Sequence, residues 1–87
     1  MYGGDSEETV VLECKIGYME NVIIDRFGTS VVLKKTDDTH FLAYVRVYPG
    51  ISFLSWLTGF GSDVKIVAPA YVAEKMKALA EEIAALY

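Results

Sequence analysis

Charge is missing from the middle of this 87-residue chain: no Asp, Glu, Lys or Arg occurs from Val47 to Ser62. Pro49, Gly50, Gly59 and Gly61 break that run, so it falls short of the roughly 20 apolar residues of a membrane-spanning helix. Cysteine is nearly absent as well. The lone Cys14 excludes an internal disulfide and fits a reducing, cytoplasmic setting. There is one histidine, His40, so a zinc site would need several carboxylates converging, and no ligand spacing suggests that. The amino-terminal stretch Met1 to Glu8 is acidic and holds two glycines. Without a positive n-region and an apolar core it is not a signal peptide. It reads as a flexible linker or an expression remnant over residues 1–8, which points to a single domain over 9–87 cut from a longer protein.

What the chain does have is apolar content. Hydrophobic residues make up 53% of it and the mean hydropathy is +0.30. So small a domain cannot hide that much apolar surface inside, which points to a partner surface. The net charge of -4 and an isoelectric point near 4.8 argue against direct binding of duplex DNA, which needs a broad basic footprint.

Periodicity orders the elements. Val10 to Ile16 alternates as a strand, and Tyr18 to Phe27 places Met19, Val22, Ile23 and Phe27 at helical spacing with Gly28 as its stop. Ser30 to Lys35 and Phe41 to Tyr48 read as two strands joined by the polar turn Thr36-Asp37-Asp38-Thr39. Ile51 to Phe60 reads as an uncharged helix, Val64 to Ala68 as a strand closed by Pro69, and Tyr71 to Tyr87 as a helix. The order β-α-β-β-α-β with one more helix predicts an α+β fold. It is a ferredoxin-like βαββαβ sandwich with an additional C-terminal helix.

That last helix carries Val72, Met76, Leu79, Ile83 and Leu86 at spacings of 4, 3, 4 and 3, a heptad seam. Two uses are open: packing within the chain, the default for an amphipathic helix, or a homodimer seam. In the preceding helix Ser52, Ser55 and Gly59 share one face. The expected occupant of that face is the terminal helix, with Trp56 flanking the contact. The alternative is a subunit contact anchored by Trp56, Phe60 and Tyr71, residue types that dominate interface energetics.

If the apolar alternates of the sheet face the helices, Lys15, Lys34, Tyr44, Arg46 and Lys65 share the open face. Such a face could hold an anionic ligand with Tyr44 as a stacking surface, or it could be a solvated face of ordinary cross-strand charge pairs. An RNA-recognition domain would need aromatic rings on both central strands, whereas the first strand offers only Val11, Glu13 and Lys15 outward. An acylphosphatase would need an arginine in the loop after the first strand, where Ile16, Gly17 and Tyr18 stand. Asp37-Asp38 reads as a turn. Cys14 reads as a core residue and His40 as an exposed strand start; a nucleophilic Cys14–His40 pair is not forbidden by the sequence alone. No catalytic residue, metal or cofactor is expected.

The run Leu54, Trp56, Leu57, Gly59, Phe60, Gly61, Val64, Val67, Pro69 resembles the C-terminal extension module, called WCX, of bacterial WYL-domain transcriptional regulators. Val10 to Lys15 is similar to that module's first strand, and the terminal helix is of the family's kind. Where relatives often carry outward basic residues on the first strand, Val11 and Glu13 stand here. The arginine-rich segment after their first helix is shortened to Arg26-Phe27-Gly28. The resemblance implies a non-catalytic regulatory module that contributes to dimerisation and to an effector-binding surface. Its partners would be the WYL domain of the same or a partner chain, and an anionic effector or nucleic acid in the intact regulator. A free-standing ferredoxin-like domain that senses a small anion is the rival expectation.

Overall fold

A computed structural model describes residues 6–87; the first five residues of the expected linker lie outside the described residues. The elements run β1 (Glu8–Lys15), α1 (Met19–Phe27), β2 (Val32–Lys35), β3 (His40–Val47), α2 (Ile51–Thr58), β4 (Val64–Ala68) and α3 (Ala70–Ala84). A short 3-10 turn at Gly61–Asp63 leads into β4. The four strands form one antiparallel sheet in the order β2-β3-β1-β4. This is the ferredoxin-like sandwich with one further helix, as the element order predicts. Among the described residues no helix is long and apolar enough to cross a membrane.

Alternation decides the two faces of the sheet. Val10, Leu12 and Cys14 of β1 meet Phe41, Ala43, Val45 and Val47 of β3 on the covered face, all buried. The helical layer supplies Met19 and Ile23 from α1, and Phe53, Leu54 and Leu57 from α2. Strand β1 starts at Glu8, two residues before the alternation suggests, because Glu8 and Thr9 pair with Val47 and Arg46 across the ladder. Strand β2 is two residues shorter than expected. The Val31 N–H donates to the Gly28 carbonyl (3.3 Å), so the turn after α1 consumes Ser30 and Val31.

Gly28 ends α1 as anticipated: it sits at φ +92° and its N–H donates to the Ile24 carbonyl at 2.8 Å, a left-handed stop that only glycine adopts freely. At the other end of the helix the Glu20 carboxylate reaches back to accept the Gly17 N–H at 3.0 Å, which ties the turn after β1 to the start of α1. Helix α2 stops at Thr58, with Gly59 and Phe60 turning back on the Trp56 and Leu57 carbonyls.

Helix α3 lies along β4 and beside α2. It takes a place at the end of the helical layer. Its attachment is graded: Val72 is 0% exposed, Met76 and Leu79 are half-buried, Ile83 is 40% exposed and Leu86 78%. The heptad seam therefore serves the intrachain core over its first half and leaves it over its second.

Candidate interaction surfaces

Lys15, Lys34, Tyr44, Arg46 and Lys65 do lie on one face, the side of the sheet away from the helices, as their register with Glu13, Leu42 and Val11 shows. That face is not a bare basic surface. The Lys15 ammonium lies 3.7 Å from Asp63 and that of Lys65 3.7 Å from Glu13. Arg46 lies 3.3 Å from Glu7 and donates to the Thr9 hydroxyl at 3.0 Å. Among the described residues only Lys34 of the four has no ion-pair partner. Each exposed pair contributes at most about 1 kcal/mol, but together they neutralise the face. Between the charges runs an apolar row. Val32, Tyr44 and Val11 stand directly opposite one another across β2, β3 and β1, with Leu42 two residues from Tyr44 on the same face.

The aromatic side chains that looked like interface anchors are engaged inside the chain. Trp56 packs edge-on against Phe27 of α1 (5.7 Å between centroids) and Phe60 (5.1 Å), and stacks on Phe53 at 6.3 Å. The Arg26 guanidinium covers the indole at 5.0 Å. The indole thus joins α1 to α2 and does not flank α3. The small face of Ser52, Ser55 and Gly59 is exposed; α3 instead approaches α2 from the side of Ile51 and Leu54. The bulk of Phe53 and Trp56 directs α2 toward the sheet and α1, which leaves the small residues outward. Val72 belongs to the core, so it is unavailable to a subunit contact. Of the expected interface set, Tyr71, Ile83 and Leu86 remain exposed. The Tyr71 hydroxyl donates to Glu8 at 2.9 Å, fixing the first turn of α3 to the start of β1.

Cys14 and His40 sit on opposite faces. Cys14 is wholly buried among the helix-facing residues, while His40 pairs with Lys15 on the open side, its ring nitrogen 2.7 Å from the Thr39 hydroxyl. Burial, helped by the charges of Glu20 and Glu13, pushes the Cys14 thiol up to about 12. A thiol held protonated on the far side of the sheet from the only imidazole cannot act with it as a nucleophile. Asp37 closes the hairpin turn, its carboxylate accepting the N–H groups of Thr39 and His40 at 2.7 and 2.8 Å. Those bonds hold its carboxyl below the usual range. Among the described residues no three His, Cys, Asp or Glu side chains converge to hold a metal ion.

The buried thiol and two tyrosines set a pH response. The Tyr18 hydroxyl donates to Asp63 (2.6 Å) as Tyr71 does to Glu8, and these bonds to the neutral phenols raise both. All three groups are held protonated by the fold. Their contribution is full below their unfolded values and is lost as pH rises through the folded ones. Urea midpoints should therefore decline from about pH 9 toward about 12, and Cys14→Ala should flatten that decline. A midpoint constant across this window would show that the thiol is not held protonated.

What these surfaces define is a small ferredoxin-like domain with an appended, half-docked helix. The family model of the WCX domain matches residues 7–84, and the chain belongs to that family. It is a regulatory-associated domain, and the match spans both the Leu54–Pro69 run and the β1 segment that carried the resemblance. Comparison with curated proteins finds no match.

Sequence reasoning brought the five open-face residues together and weighed cross-strand charge pairs there, of which Lys65–Glu13 is one, but it missed Asp63 and Glu7 as partners. Asp63 lies in the turn before β4 and Glu7 ahead of β1, so neither pairing has a local pattern.

Proposed function

We propose that this domain is a non-catalytic association module of a WYL-type transcriptional regulator, and that the free end of α3 joins two subunits. The observation that carries the reading is the graded exposure of one apolar seam, from buried Val72 to Leu86 at 78%. An apolar seam that continues past its own core, through Ile83 of α3 to Leu86 in the turn after the helix, presents a strip that water penalises. Two copies related by a two-fold axis would cover each other's Ile83 and Leu86, a self-complementary contact.

The open sheet face supports a second contact, with the WYL domain. Its centre is apolar (Val11, Val32, Leu42, Tyr44) and its rim is charged, the anatomy of a protein interface. An anionic effector or nucleic acid would meet, among the described residues, only one unpaired cation of the four there, Lys34, so the face favours a protein partner over an anion. This weighs against the free-standing anion sensor as well.

Sedimentation equilibrium of the domain tests the subunit contact. A monomer–dimer equilibrium is expected, with Ile83→Glu and Leu86→Glu together weakening it by roughly tenfold or more while the melting curve stays put. A monomer at millimolar concentration, or a dimer indifferent to both substitutions, would overturn the reading.

A further inference from the structure

The sheet ends at β4 on one side, and the direction of each backbone group along that strand follows from parity. The Ile16 N–H donates to the Thr39 carbonyl, just ahead of β3, at 2.9 Å. Backbone groups along a strand turn to alternate neighbours, so Cys14 and Leu12 also face β3 while Glu13 faces β4. Lys65, the partner of Glu13, therefore turns its N–H and C=O inward, and Val64 and Ile66 turn theirs out of the sheet. Among the described residues those outward groups bond to no other backbone. The register then shifts past Val67, and this bulge ends the regular edge.

Along the same strand runs a cleft of about 580 Å³. Val64 and Ile66 wall it from β4, Leu57 from α2 and Met76 from α3, and α3 otherwise meets it with Ala73 and Ala80, side chains too short to reach across. An apolar trough thus lies next to a row of unsatisfied N–H and C=O groups, and another extended backbone offers donors and acceptors at that alternating spacing. The charges that border the strand are of one sign. Lys65, the only charge of β4, is 73% exposed and sends its ammonium to the open face, with Glu13 at 3.7 Å on its inner side. Lys77 stands on α3, and no carboxylate lines the cleft.

We propose that β4 takes an extended, acidic segment of a partner protein as a fifth strand, a β-augmentation roofed by α3. Alternate side chains of that segment are apolar and enter the cleft. The intervening ones emerge on the open face beside Lys65, where a carboxylate forms a cross-strand pair on its outer side. The pairing is short, because Val64 and Ile66 offer only their own donors and acceptors before the bulge. Burial in the trough therefore supplies most of the affinity, and the strand edge supplies direction and register. The inference goes beyond the association module proposed above and does not need its subunit contact. Ile83 borders both surfaces, so the peptide titration is run at concentrations where the domain is monomeric.

The direct measurement is an amide-resolved NMR titration with a capped peptide, Thr-Val-Glu-Val-Thr-Val-Glu. It should saturate with a dissociation constant below about 1 mM. Exchange of the Val64 and Ile66 amides should slow by roughly tenfold or more at saturation, while that of Lys65, already turned to β1, stays the same. N-methylating the peptide's valines keeps their side chains, removes their donors and should weaken binding about tenfold. Lysines in place of its glutamates should weaken it about threefold. Ala80→Trp, an exposed position whose new ring fills the trough, should abolish binding; if that variant fails to fold, the N-methylated peptide decides. No binding at millimolar peptide, unchanged exchange at Val64 and Ile66, or equal binding of the N-methylated or lysine peptide would overturn the site. So would slowing of those two amides with rising domain concentration and no peptide, which would assign the edge to a second copy of the chain.

Discussion

Replacing Trp56 with alanine is expected to lower stability by about 3 kcal/mol, the low end for a tryptophan truncation because the indole is half-buried. In a domain of this size that corresponds to a fall in melting temperature of more than about 10 °C. The loss is large because the ring is shared. Phe27 approaches its edge from α1, Phe60 from the following turn, Phe53 stacks on it, and Arg26 lies over its face. Each aromatic pair adds about 0.5–1.5 kcal/mol beyond the area it buries. Among the described residues these contacts are the chief aromatic link between α1 and α2, and both helices rest on the same sheet. Trp56→Phe should recover part of the loss. A double-mutant cycle with Phe27→Leu should return a coupling of about 1 kcal/mol. Urea denaturation showing a loss below about 1 kcal/mol for Trp56→Ala would mean that the cluster is ornamental. Self-association, in contrast, should survive the substitution at temperatures where the domain is folded.

Val72→Asp should detach α3. Val72 is fully buried in the hydrophobic core, and among the described residues no cation is buried there to receive a carboxylate. An uncompensated buried charge costs about 3–5 kcal/mol, more than the half-buried Met76 and Leu79 can offset. The expected state has an intact four-stranded sheet with amides of α3 losing protection against hydrogen exchange, because the helix is a peripheral unit able to open by itself. Val72→Ala, which removes two methyl groups, should cost only about 2 kcal/mol and keep α3 in place. If α3 amides in Val72→Asp stay as protected as those of β1, the helix is held by contacts other than its seam. Even in the native chain the turns after Leu79 should exchange faster than the first, following the gradient of burial.

Much of this architecture was legible because alternation and helical spacing are local. Phe41 to Val47 and Val64 to Ala68 show their covered face in the sequence itself, and the element order then leaves few ways to arrange four strands. The start of β1 was not legible, since Glu8 and Thr9 are strand only by virtue of what β3 offers them. Nor was the outlook of Ser52, Ser55 and Gly59. Small residues mark a surface that another helix could approach, but the bulk of Phe53 and Trp56 on the other sides of α2 decided which way it turned. The open-face cations show the same limit. Strand parity placed Lys15, Arg46 and Lys65 together, while their neutralising partners come from segments distant in sequence. The seam of α3 was visible as a period, yet the point where it leaves the core depends on how far β4 and α2 extend beneath it.

The two borders of the sheet differ in a way that bears on solubility. The outer strand β2 has only four residues, two of them lysines, Lys34 and Lys35, and a short lysine-bearing border discourages strand-to-strand stacking between molecules. The opposite border, β4, reads Val-Lys-Ile-Val-Ala and has a single charge. Aggregation in a chain so rich in apolar residues would start from that side. Whatever loosens α3 therefore also uncovers the strand most able to template a fibril.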